Sequence, residues 1–61
     1  MDAGRTKQRA FILSSFRRMN IILSTKVYRF ADHLIDIGWM PPLASLSDVD
    51  KEILKKFQEF Y

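Results

Sequence analysis

The sequence predicts an all-α fold, either a small helical hairpin or a three-helix unit, and three observations carry the prediction. Between Thr6 and Ile37 there is neither Gly nor Pro. Apolar residues recur there at Ile12, Phe16, Met19, Leu23, Val27, Phe30, Leu34 and Ile37. Those spacings of three and four are the period of a helix face, not of a strand. Beyond a Gly- and Pro-marked interruption, residues 47–61 repeat the same period behind a run of acids.

Taken in order, residues 1–5 ("MDAGR") are polar and broken by Gly4. They are expected to form a flexible basic N-terminal arm. Residues 6–37 are expected to be helical. A second stripe at Ile21, Tyr28, Ala31 and Ile35 widens the apolar face beyond what one neighbouring helix covers. Whether the segment is one helix or two stays open. Ser24 or Thr25 in "LSTK" can cap a new helix, yet neither has Glu or Gln three residues on, and no Gly or Pro forces a turn. Unbroken, the helix would run about 48 Å and would need a dimer to bury it. A junction near Ser24 gives the lengths of about 8–20 residues usual in compact domains.

Gly38 stops this region, with Pro41 three residues later. Residues 38–46 then read as an extended connector, because Pro41 and Pro42 disfavour helix around them. The C-terminal helix is expected over 47–61, with Ser47 as N-cap and Asp50 three residues on. Asp48, Asp50 and Glu52 suit the positive end of its dipole, and Glu52 and Lys56 have the spacing of an ion pair. Val49, Ile53, Leu54, Phe57 and Tyr61 share one face, with Phe60 at its edge.

A chain of 61 residues makes one small domain and buries only about 60% of its unfolded surface. Domains of this size usually add a disulfide, a metal or a partner. There is no Cys, and one His is too few for an imidazole cage, so neither a cofactor nor a metal is expected. With 48% hydrophobic residues, association remains, and a homo-oligomer is expected. No apolar run approaches a membrane span of about 18 residues, and Arg17 and Arg18 interrupt the only candidate signal region. The expected location is cytoplasmic. Residues 3–31 contain no acid, as presequences often do, but removing them would leave too little chain to fold.

Charge is unevenly placed. Residues 1–30 sum to +6 and residues 31–61 to −3. Either the basic half meets an acidic partner, or the acidic half neutralises it within the chain or across a dimer.

Little points to catalysis, and the chain is read as not an enzyme. His33 lies between Asp32 and Asp36, but no nucleophile motif accompanies it, and Ser14 and Ser15 lack the Gly of a strained elbow. Two glycines cannot build a phosphate loop. The function expected is that of a small regulatory or inhibitory protein that binds another protein stoichiometrically. Its partner would present an acidic surface to Trp39, Met40, Arg17, Arg18 and Arg29. The alternative is nucleic-acid binding, with Arg5, Lys7, Arg9, Arg17 and Arg18 on phosphates. Against that stands "KVYRFADHLIDIG", too apolar and acidic for a recognition helix. Trp39, in "GWMPPL", has two possible uses. It plugs the open end of the helix packing, or it is a stiffened, exposed anchor for a partner's pocket.

Overall fold

A computed structural model describes residues 3–60; Met1, Asp2 and Tyr61 lie outside the described residues. The chain is a three-helix unit: α1 (Ala3–Arg18), α2 (Thr25–Asp36) and α3 (Leu46–Phe60). Among the described residues there is no strand. The longest dimension is 30 Å, shorter than an unbroken 6–37 helix would be. The radius of gyration of 10.8 Å is close to the ~10.5 Å expected of a compact chain this long.

The break between the first two helices is made by Asn20. It adopts φ 60°, a left-handed conformation open to Asn at modest cost because its short polar side chain can bond locally. The amide of Asn20 donates to Arg17 O (3.0 Å) and that of Ile21 to Phe16 O (2.9 Å). This is a Schellman closure, which satisfies the last carbonyls of α1 and turns the chain out of the helix. Ser24 is then the N-cap of α2 by backbone geometry, but its side chain makes no capping bond. The junction thus occupies residues 19–24, slightly earlier than "LSTK" suggested.

The same closure ends α2. Gly38 has φ 77°; its amide donates to Ile35 O (3.0 Å) and that of Trp39 to Leu34 O (2.9 Å). The residue after the left-handed position in this motif characteristically packs back on the helix. Trp39 does so, packing against the core.

Two boundaries differ from the sequence reading. Ala3–Arg5 belong to α1, so the expected arm is helical in its described part. Helix α3 starts at Leu46, and its cap is Ser45, whose Oγ accepts the Asp48 amide at 3.2 Å. Ser45 and Ser47 stand at the same distance from Asp48 and Asp50, so the spacing alone does not choose between them. The cap bond falls on Ser45, and the Asp50 carboxylate is bonded across to α1.

α1 packs against both α2 and α3. The core joins Ile12 and Phe16 of α1, Val27, Phe30, Ala31 and Leu34 of α2, and Val49 and Ile53 of α3. Phe57 closes it with a trio of edge-to-face rings. Its centroid lies 5.1 Å from Phe16 and 5.2 Å from Phe30, and those two are 6.0 Å apart. Each such contact contributes about 0.5–1.5 kcal/mol beyond area burial. Of the predicted stripe, Met19 and Leu23 pack at the margin, while Ile37 is exposed beyond the end of α2.

Candidate protein-docking site

The arginines of α1 are largely engaged within the chain. Arg9 bonds Asp32 Oδ1 through Nε (3.0 Å) and a terminal nitrogen (2.8 Å). Arg5 reaches Asp36 at 2.9 Å and Asp32 at 3.9 Å. At the other end of α1, Arg18 forks onto Asp50, Nε to Oδ2 at 3.1 Å and a terminal nitrogen to Oδ1 at 2.8 Å. The wholly buried Ser15 donates its hydroxyl to the same carboxylate. The Arg18 bond holds the Asp50 carboxyl below its ordinary value, against the opposing effect of burial, with Ser15 adding to the lowering. Arg18 is raised in turn, first by that bond.

These pairs are the internal neutralisation that the split charge allowed. They also occupy Asp32 and Asp36, the carboxylates flanking His33 in sequence. His33 instead stacks on Phe60, with ring centroids 4.7 Å apart. Arg5, Arg9 and Arg18 are thus committed to carboxylates of α2 and α3. Lys7, Arg17 and Arg29 are exposed and make no ion pair among the described residues.

The connector divides its apolar residues between two tasks. Trp39 is half-buried, and its Nε1 donates to Glu52 Oε2 at 3.0 Å. Glu52, placed to pair with Lys56 along α3, is bonded to the connector instead. Met40 and Leu43 face outward, at 67% and 107% of full exposure. Ala44 N donates to Pro42 O at 2.9 Å, so a tight turn carries Leu43 at its centre. Within "GWMPPL", Trp39 therefore sits against the core and is not the exposed residue that the anchor use needs, while Met40 and Leu43 are exposed.

Between connector and α1 lies a groove of about 210 Å³. Trp39, Met40 and Pro41 form one wall, and Lys7, Gln8, Phe11 and Ile12 the other. The Gln8 amide touches Met40 Sδ at 3.7 Å, which ties the two walls together. Of the five residues expected to bind a partner, Trp39 and Met40 come together here. Arg17, Arg18 and Arg29 do not line the groove. Phe11 and Gln8 were not singled out from the sequence. Phe11 falls between the positions of the main stripe, in the run "AFIL", and only the return of the connector makes that side of α1 the wall of a groove.

Among the described residues, no cluster of metal-ligating side chains occurs, and no helix is long and apolar enough to cross a membrane. No family model matches the chain, and no curated protein or solved structure shows significant similarity to it.

Proposed function

We propose that the chain is a small regulatory or inhibitory protein that acts by binding another protein stoichiometrically, without catalysis, through the connector and the groove beside it. The observation that carries this reading is the outward placement of Met40 and Leu43 on a connector whose Trp39 is fixed from inside. Residues 37–47 carry no charge, and Ile37, Met40, Leu43 and Leu46 within them are all exposed by more than half. Large apolar side chains exposed along one uncharged stretch favour an interaction site. Two prolines and the Trp39 anchor stiffen it, so little entropy is lost on docking.

The same surface suits self-association of the chain. The nucleic-acid alternative is weakened, because Arg5, Arg9 and Arg18 are held by carboxylates that a phosphate backbone would have to displace.

The test is capture from lysate of the cells that make the protein, with tagged chain and with Met40→Asp, each with and without nuclease. A single protein retained after nuclease and lost with Met40→Asp is the expected result. Bound material that disappears on nuclease treatment would overturn the reading in favour of the basic residues of α1.

A further inference from the structure

Alternate cations on the N-terminal half of α1 have different fates. Arg5 and Arg9 turn to the carboxylates of α2, at 2.9 Å to Asp36 and 2.8 Å to Asp32. Lys7, between them in sequence, lines the groove and has no ion pair among the described residues. The groove is otherwise apolar apart from Gln8, and no acidic side chain lines it. Its volume of about 210 Å³ is below the ~300–1,000 Å³ of small-molecule sites. It has room for an anchoring side chain rather than a free ligand. The second surface recess, of about 330 Å³, differs in that Lys56 and Glu59 line it together, so both signs of charge are already present there.

From this complementarity we infer that the groove takes a partner segment bearing a large apolar anchor residue with a carboxylate about one helical turn away. The anchor seats between Phe11 and Met40, over the face of the groove closed by Trp39. The carboxylate meets Lys7 at the rim. On a helical segment, positions three or four apart share a face, which sets the distance between the two groups. The apolar contact supplies most of the affinity, and the exposed ion pair selects the partner and speeds encounter. This inference rests on the docking reading above and adds the chemistry of what docks.

The probe is a phage-displayed library of randomised helical peptides, selected in parallel on the immobilised full chain, on Lys7→Glu and on Met40→Asp. Circular dichroism on each protein checks that it is folded. The expected result is enrichment on wild type of a large apolar residue with Asp or Glu three or four positions away. Replacing that acid by its amide weakens binding by up to about fivefold, the size of an exposed ion pair. Lys7→Glu enriches Lys or Arg at the same position, and Met40→Asp loses the pool at least tenfold. Apolar peptides with no charge preference would overturn the carboxylate inference and leave the docking reading standing. Peptides indifferent to Met40→Asp, or no enrichment at all, would overturn both. Enrichment blocked by a dimer that Met40→Asp dissolves would put a second copy in the groove, against the inference.

Discussion

The indole Nε1 of Trp39 donates to Glu52 Oε2 at 3.0 Å, joining the first turn of the connector to the middle of α3. The backbone amide of the same residue donates to Leu34 O at the end of α2. Trp39 is therefore held at both main chain and side chain, and the residue after it is directed outward.

Cutting that bond is expected to loosen the connector. Trp39 is the only Trp, so its fluorescence reports on the site directly. Glu52→Ala should shift the emission to the red, raise quenching by acrylamide and cost about 1 kcal/mol of stability. Unchanged emission and quenching in Glu52→Ala would mean that the bond does not hold the indole.

The bond between Asp50, Arg18 and Ser15 should show as a pH dependence. The folded Asp50 carboxyl lies below the ordinary value of 3.8, which it regains on unfolding. Between the two values the unfolded chain binds the proton first, so stability rises with pH there. The contribution is complete above the ordinary value and is lost as pH falls through the folded one. The stability difference between wild type and Asp50→Asn should be flat near neutrality and shrink below about pH 4. Urea titrations at several pH values measure it, and a difference that grows on acidification would contradict the assignment. Ser15→Ala should cost about 1–3 kcal/mol, because it removes a buried donor from a carboxylate.

The ring trio sets the limit of stability. A chain this size is stable by about 3–9 kcal/mol in total. Truncating a buried phenylalanine costs about 3–5 kcal/mol. Phe30→Ala, which breaks contacts with both Phe16 and Phe57, should remove a third or more of that stability and lower the melting temperature steeply by circular dichroism. A cooperative melt near that of wild type would show that the trio is not the core.

The end of α1 rests on Asn20 and its positive φ. Asn20→Gly should be neutral or mildly stabilising, since Gly enters the left-handed region without a Cβ clash. Asn20→Val should cost about 1–2 kcal/mol or more, because a branched side chain resists that conformation. Thermal melts of the two variants measure the difference, and equal melting temperatures would contradict the closure described here.

These sites also mark how far the fold was legible in the sequence. The helix periodicity and the Gly38 stop read directly, because both are local. The Asn20 closure did not: Asn serves the left-handed role at a cost, so its presence announces a turn far less strongly than Gly does. The choice of Ser45 over Ser47 was equally hidden, since both stand three residues before an Asp. Glu52 pairs with Trp39 rather than Lys56 through a contact made across elements. The split of charge between the two halves was plain, but which arginines it would engage depended on helix orientation. Two residues of the groove, Trp39 and Met40, stood out by composition. Phe11 and Gln8 became part of it only through the return of the connector onto α1.

On the proposed reading, partner binding runs through the connector groove and not through the exposed Arg17 and Arg29. The measurement that tests it most directly is the affinity of the captured protein for four chains: wild type, Met40→Asp, Arg17→Ala and Arg29→Ala, by calorimetry at low and physiological salt. Met40 is two-thirds exposed and touches only Gln8 by a polar contact, so its substitution should lower the melting temperature slightly while weakening binding at least tenfold. The arginine variants and the change of salt should each alter affinity by less than about fivefold. Binding that survives Met40→Asp but collapses with Arg17→Ala, Arg29→Ala or added salt would contradict the account and move the site to the basic surface.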